Sequence, residues 1–307
     1  MTAVGKPICS MVNPRNAGPI LSVVGAISRN TPYFKGKWRL TDWLFHRWLK
    51  HKDYSEVIEL NAGIKIRCDL WDEVPNSIWW HGTSYEQKGS DFLRKILRPG
   101  MVFLDVGAHV GYYSLLAVSE LGGQIHVHAF EPVDNTHRAF CENVERNRLQ
   151  NIRVNKLIVS DTRSPQSIYV HESWNSGVSS IFFREGSTCR PEEVESITLD
   201  AYCARENLAR VDVIKLDVEG HELSVLKGAV ETLAQRRPVL LMEVKDEALG
   251  EAHVSRAALY DFLAGAGYQA YAITNAVELR PILQPVEGNL IVFKPSGGRV
   301  EPSPART

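Results

Sequence analysis

The chain has 307 residues, 44% of them hydrophobic, and a formal net charge of -1. That length supports one sizeable α/β domain with an appendage, or two small domains. The even charge balance and the lack of long basic runs exclude a dedicated nucleic-acid binder, and no apolar run reaches the length of a membrane span. The five cysteines, Cys9, Cys68, Cys141, Cys189 and Cys203, never form C-x-x-C. They signal neither a zinc site nor a disulfide framework, and reduced thiols in a cytoplasmic protein are expected. Pro14, Arg15 and Pro19 interrupt any signal-peptide core behind Lys6.

Residues 1–30 are expected to be loosely structured, with Gly18 to Ile27 suited to a short helix packed against a partner. Trp38 to Lys50 sets Leu40, Trp43, Leu44 and Trp48 on roughly one helical face, the pattern of a helix docked on the main core through that stripe, with an interaction site as the alternative. SEVIEL and GIKIRCDL alternate apolar and polar around Asn61–Gly63 and read as a hairpin. The stretch DEVPNSIWWHGTSYE is rich in turn residues and aromatics, and leads into a helix from Ser90 to Leu97 closed by Pro99–Gly100.

From Met101 strands and helices alternate. Strands are expected at 101–106, 125–131, 152–159, 211–217, 237–244, 268–274 and 288–293, with helices near 111–121, 134–147, 221–234 and 255–266. Such alternation means a mostly parallel sheet covered on both faces. Asp161 to Asp200 breaks the rhythm: SIYVHES and VESITL read as extended strands around a polar loop, WNSGVSS. The tail from Pro295 to Thr307 has a disordered composition. The expected division is an N-terminal extension over 1–90 that serves as a lid, a cofactor-binding domain over 91–294 and a tail over 295–307.

FLDVGAHVGYYS, Phe103 to Ser114, carries the first chemical signal. A buried apolar strand ends on the carboxylate of Asp105 and turns through Gly107 and Gly111 into a helix. Ligands of open α/β sheets bind at such strand ends. The spacing D-x-G-x-x-x-G is not the G-x-G-x-x-G of dinucleotide folds, which argues against a nicotinamide reductase. Glu131, ending the next strand, suits a ribose diol. The two acids together point to an adenosine-containing ligand without a pyrophosphate, and S-adenosylmethionine fits. For the glycine pattern alone, a tight strand–helix turn that binds nothing is the alternative.

VDVIKLDVEGHE, Val211 to Glu222, carries the second. Lys215 sits inside a buried strand and requires a carboxylate, with Asp105 and Glu243 as the candidates. Asp217 ends that strand beside Gly107, where the reactive end of the cofactor is expected; capping the helix near His221 is the alternative. Glu219 and Glu222 add further acid. Glu243 ends the next strand on the same rim, unless it only pairs with Lys215 or Lys245. His221 and His109 are the nearest imidazoles, candidates for a general base, although a place inside the glycine turn favours cofactor contact for His109. Asp217, Glu219 and Glu243 are also hard oxygen ligands suited to Mg²⁺, but an ion-pair network around Lys215 and Lys245 accounts for the same three acids and is preferred to a metal.

The polar loop tip, with Trp174, Asn175 and Ser179, combines an aromatic face with hydrogen-bonding side chains, as an amphipathic acceptor such as a sugar requires. Trp79, Trp80 and Tyr85 are the expected opposing wall. An edge hairpin that serves packing or dimer contacts is the alternative, so a homodimer stays open.

DVGAHVGYYS, FEPVDNTHRAFCENVERN, SITLDAYC, VIKLDVEGHELSVLKGA and RPVLLMEV, in that order, resemble the FkbM family of S-adenosylmethionine-dependent methyltransferases. The resemblance spans roughly Trp79 to Phe293. It implies a cytoplasmic enzyme with the class I methyltransferase fold, a seven-stranded sheet of order 3-2-1-4-5-7-6 whose last strand is antiparallel. It also implies O-methylation of a small-molecule acceptor, a sugar, polyketide or other natural product, with S-adenosylhomocysteine as product. Asp105, Gly107, Ala108, His109, Gly111 and Tyr112 then form the cofactor loop, with His109 where the family commonly has asparagine. Glu131 and Pro132 would hold the ribose, and Ser160 and Asp161 the adenine. Tyr85 and Glu86 would lie near the cofactor, and Asp217 at its methyl end. An alcohol needs a base, expected at Asp217 or His221 with Glu219 and Glu243 orienting. A carboxyl acceptor, already ionised, would need only positioning. A non-catalytic S-adenosylmethionine-binding module would need no acidic rim.

Overall fold

The computed structural model describes residues 18–31, 36–171, 177, 179–182 and 189–297. Two helices, α1 (Pro19–Asn30) and α2 (Lys37–Leu44), come first, and α2 runs on into a π-turn over Phe45–Leu49. The expected hairpin follows as β1 (Ser55–Glu59) and β2 (Lys65–Asp69), then α3 (Glu73–His81) and α4 (Gln87–Ile96). The alternating region opens with β3 (Val102–Val106), α5 (Tyr112–Leu121), β4 (His126–Phe130), α6 (Asp134–Arg146) and β5 (Ile152–Asn155). An excursion carries β6 (Ile158–Val159), β7 (Gln166–His171), β8 (Cys189–Val194), β9 (Ser196–Ile197) and α7 (Leu199–Arg205). The chain returns through β10 (Val213–Leu216), α8 (Glu222–Lys227), α9 (Val230–Gln235) and β11 (Val239–Val244). It ends in α10 (Asp246–Glu251), α11 (Arg256–Gly265), β12 (Tyr268–Ile273), β13 (Leu279–Pro281) and β14 (Gly288–Pro295).

The central sheet has the order β13-β12-β14-β11-β10-β3-β4-β5. Without β13 this is the expected 3-2-1-4-5-7-6 arrangement, and β14 runs antiparallel to both β11 and β12. The expectation of seven strands is corrected to eight. β13 is a three-residue edge strand whose Pro281 pairs with Tyr271. Proline is tolerated at such an edge because no further strand needs its missing N–H.

Strands β3 and β10 are buried throughout, as a parallel sheet sandwiched between helix layers demands. The N-terminal extension shares the core of one face: Ile58, Ile66, Leu70 and Ile78 cluster with Phe103, Leu115 and Val127.

Other expectations are corrected too. The single helix expected over 221–234 breaks into α8 and α9 at Gly228, which packs so close to the Ser160 backbone that a β-carbon there would fall on its carbonyl oxygen. The strand expected over 152–159 divides, and β6 leaves the main sheet to pair with β9. The turn-rich stretch before Tyr85 contains a helix, α3, with Pro75 in its first turn where the missing N–H costs nothing.

Of the expected stripe Leu44 packs against the core, but Leu40, Trp43 and Trp48 do not. Those side chains are 51%, 56% and 56% exposed, whereas Lys37, Thr41, Phe45 and Leu49 face inward. The Lys37 ammonium is satisfied by the carbonyls of Ser28 and Thr31 at 2.6 and 3.0 Å, which lets the polar side of the helix turn inward.

Gly111 opens α5 at φ +88°, and a β-carbon there would strike the Phe140 ring. Gly111→Ala should therefore lower the unfolding free energy by about 1–3 kcal/mol from backbone strain, before any displacement of Phe140. Denaturant titration of the purified variant measures this.

Candidate active site

The carboxyl ends of β3, β4, β10 and β11 open onto one cavity of about 1150 Å³. The turn after β3 forms its floor, with Gly107, Ala108, His109 and Tyr112 lining it. Gly107 has φ +76°, and a β-carbon there would fall on the Asp217 carbonyl oxygen. The ends of β3 and β10 therefore meet only because this residue is glycine.

Glu131, ending β4, lies on the cavity wall and is 5% exposed. Its Oε2 accepts the His109 N–H at 2.8 Å, and its Oε1 accepts Val133 N–H and Thr136 Oγ1 at 3.0 and 2.8 Å. Burial still pushes its carboxyl up to about 7. A ribose diol would bring further donors to this fixed carboxylate, so the residues present fit the sugar of S-adenosylmethionine. Pro132 lines the cavity beside it.

Several expected cofactor residues lie elsewhere. Asp105 is fully buried behind the turn, accepts a bond from Ser114 Oγ at 2.7 Å, and does not line the cavity. Gly111 faces Phe140 instead. Asp161 is exposed and off the cavity wall, and Ser160 is directed to His221 Nε2 at 3.0 Å. The β6–β9 pairing turns this segment off the sheet, and Leu157, Ile158 and Val159 line the wall in its place. Tyr85 and Glu86 do line the cavity. Glu86 is held at φ +43° and accepts the Tyr113 hydroxyl at 2.7 Å.

The acidic rim assembles from two neighbouring strands. Carboxylate oxygens of Asp217, Glu219 and Glu243 lie within 4.8 Å of one another. Lys215 is buried, as expected, and feels the charge of Asp105, but its directly bonded partner is neither Asp105 nor Glu243. Its Nζ lies 3.1 Å from Asp217 Oδ2, while Glu243 pairs with Lys245 at 2.8 Å. The two-residue period of a strand explains this: Lys215 and Asp217 project from the same face of the chain. Asp217 caps no helix, since α8 begins at Glu222 after His221.

Burial opposes charge on Asp217, but the Lys215 ammonium and its hydrogen bond hold the carboxyl below its usual range. Glu243 is pushed well up, first by burial and then by the Asp217 charge. Of the two, Glu243 is the one that retains its proton. His221 also lines the cavity, but burial pushes it down to about 4 and its Nε2 is engaged with Ser160. Burial likewise takes His109 to about 4.

On the acceptor side Ser179 lines the cavity with Gly177 and Ser180, while Trp174 and Asn175 lie outside the described residues. Trp79 does not form the opposing wall. It is fully buried against Gly25 of α1, and Trp80 is 3% exposed. That wall comes instead from Trp38, Ser77 and His81, with Asn275 and Val277 from the β12–β13 connection. The sequence offered no signal for the latter pair, because β13 is too short to show a period.

Lys215→Met should leave buried carboxylates uncompensated and destabilise the fold by about 3–5 kcal/mol; adding Asp217→Asn should recover part of the loss in a denaturation cycle. Glu222 behaves differently. It is buried over the Val218 and Gly220 amides and pushed from 4.5 to about 7 by burial. Its folded-state value is raised, so the folded form binds the extra proton and stability falls as pH rises from about 5 to 7. Glu222→Gln should flatten that slope, read as denaturant midpoints at pH 5 and pH 8.

Residues 105–270 match the model of the methyltransferase FkbM domain family. The chain is 30% identical over 184 residues to the 31-O-demethyl-FK506 methyltransferase FkbM of Streptomyces tacrolimicus, covering 50% of this chain and 70% of that protein. It is 26% identical over 181 residues to the 2-O-methyltransferase NoeI of Sinorhizobium fredii, covering 54% and 72%. The crystal structure of methyltransferase FkbM from Methylobacillus flagellatus KT aligns with a TM-score of 0.42 at 17% identity, over 65% of this chain and 45% of that one. With more than half of its length matched to the family model, the chain belongs to the FkbM methyltransferase family and is an S-adenosylmethionine-dependent methyltransferase.

Proposed function

We propose that the enzyme methylates a hydroxyl group of an uncharged small molecule, a sugar, polyketide or other natural product. The observation that carries this reading is the carboxylate rim at Asp217, Glu219 and Glu243, which faces the same cavity as Gly107 and Glu131. The two relatives, named for methylation at oxygen, support an oxygen acceptor.

S-adenosylmethionine supplies, when bound, a methyl group already activated by its sulfonium. The chain must hold the acceptor in line, exclude water and take a proton. Glu131, the Gly107 turn and the Tyr85–Glu86 segment would hold the cofactor. Asp217 faces the acceptor as an ionised carboxylate and would accept the hydroxyl proton as the new O–C bond forms and the methyl–sulfur bond breaks, leaving S-adenosylhomocysteine. Protonated Glu243 stands beside it as a hydrogen-bond donor, and Glu219 completes the rim. His221 orients Ser160 and takes no part in the proton transfer. Lys215 and Lys245 are already engaged by Asp217 and Glu243 at 3.1 and 2.8 Å, which leaves neither ammonium to hold an anionic acceptor and favours an alcohol over a carboxylate. The same pairing of Lys215 and Lys245 with two of the acids favours an ion-pair network over a bound cation at this rim. Trp38 of α2 and Glu73, Ser77 and His81 of α3 close the cavity from the side of the N-terminal extension.

Radiolabelled methyl transfer into small-molecule extracts tests the activity; label entering only carboxylic acids would refute the alcohol reading. Glu131→Ala should weaken S-adenosylhomocysteine binding by about 1.5–3 kcal/mol in calorimetry, the worth of a charge-assisted hydrogen bond. Asp217→Asn should keep that affinity and lower kcat by about 10²–10⁴, the usual contribution of a positioned base.

A further inference from the structure

Helix α1 turns an apolar stripe away from the protein. Ile20, Val23, Val24 and Ile27 follow the i, i+3, i+4, i+7 spacing of one helical face and are 82%, 57%, 41% and 62% exposed. The opposite face of α1 is fastened down. Gly25 packs on the Trp79 ring, Ser28 Oγ donates to Trp80 O at 3.0 Å, and Arg29 Nη1 donates to Trp79 O at 2.7 Å. The stripe is therefore not an inward face seen in a loosely attached helix.

The second helix repeats the arrangement. Leu40, Trp43 and Trp48 point outward, with the Trp43 and Trp48 rings 6.4 Å apart. Lys37 joins the two helices through its bonds to Ser28 O and Thr31 O. An apolar surface drawn from two fastened helices marks a docking site rather than a scatter of exposed side chains.

Its charge identifies the occupant. Residues 18–52 contain seven lysines and arginines and one acid, Asp42, in a chain of net charge -1. Arg39, Arg47 and Lys52 are exposed beside the tryptophans, and Asp42 is engaged with His46 at 3.4 Å. A second copy would set this basic surface against itself across a two-fold axis, where like charges repel. Exposed aliphatic side chains, tryptophans and a basic fringe on two joined helices suit a bilayer carrying anionic lipid. No described helix is long and apolar enough to cross that bilayer.

We propose that α1 and α2 form a platform that docks on an anionic membrane surface. The platform adjoins the active-site cavity through Trp38, which is 44% exposed, stacks on His81 at 5.3 Å and lines the cavity wall. Docking therefore brings that wall to the lipid interface. The proposal does not depend on the identity of the acceptor.

The test is sedimentation of the purified full chain with vesicles of phosphatidylcholine alone, or phosphatidylcholine with about 30 mol% phosphatidylglycerol. The expected result is binding to the anionic vesicles at least about tenfold tighter than to the neutral ones, and weakened by salt. Val23→Ser/Ile27→Ser, Trp43→Ser/Trp48→Ser and Arg39→Glu/Arg47→Glu should each lose about tenfold or more of that binding. All three should keep wild-type affinity for S-adenosylhomocysteine, which shows that they fold. Absence of binding to anionic vesicles, or equal binding by the folded variants, overturns the proposal. So does a concentration-dependent dimer that Trp43→Ser/Trp48→Ser abolishes while vesicles are ignored; that outcome assigns the surface to a second copy.

Discussion

A single buried ammonium governs the centre of this protein. Lys215 lies in β10, between β3 and β11, and is 4% exposed. A charge in that position persists only with close counter-charges. Asp217 supplies the direct one, with Asp105 and Glu86 adding their fields, and the Tyr113 ring lies 5.1 Å from the nitrogen. These partners come from the far end of the same strand, from β3, from the entry to α4 and from α5. One interaction thus ties the middle of the sheet to the helices at its carboxyl end. It also keeps Asp217 ionised in a place where burial alone would protonate it.

Close backbone approach is the second constraint, and it follows the same geometry. Gly107 lets the turn after β3 touch the end of β10, and Gly228 lets the α8–α9 junction touch Ser160. The first contact sets the proposed cofactor floor beside the proposed acceptor rim. The second fixes Ser160 and, through it, the His221 ring. The proton arrangement of the rim then follows from electrostatics. Asp217 and Glu243 end adjacent parallel strands, and the pair cannot carry two charges as cheaply as one. Lys215 stabilises the charge on Asp217, so the proton resides on Glu243.

The sequence made the sheet legible because buried parallel strands are continuous apolar runs separated by helical periods, and the acids at their ends stand out against that background. Glu131, Asp217 and Glu243 could be read in this way, and their placement on one cavity follows from strand topology. His221 could not. It is four residues from Asp217, but the turn through Gly220 directs its ring to Ser160. The partner of Lys215 is the next same-face acid along its own chain rather than one on a neighbouring strand. Trp79 and Trp80 fill the core, as large aromatics often do, and here they anchor α1 rather than wall the cavity. Asp161 fell off the wall because β6 abandons the main sheet, which a run of apolar residues from 152 onward does not reveal.

Helix α2 shows where periodicity stops being informative. A 3.6-residue pattern identifies two opposed faces but carries no sign for which one faces the core. In most helices hydrophobicity settles the matter. Here a lysine and a threonine lie inward, because backbone carbonyls at the end of α1 satisfy the lysine, and the tryptophans lie outward. The inversion has an electrostatic counterpart. Net charge near zero conceals an N-terminal segment rich in lysine and arginine and a cavity rim rich in carboxylates. A basic segment on one side of a near-neutral protein orients it toward anionic surfaces. The engaged ammonium groups of the rim meanwhile offer no free cation to an anionic solute. The Trp38 wall is where the proposed membrane platform and the cavity adjoin.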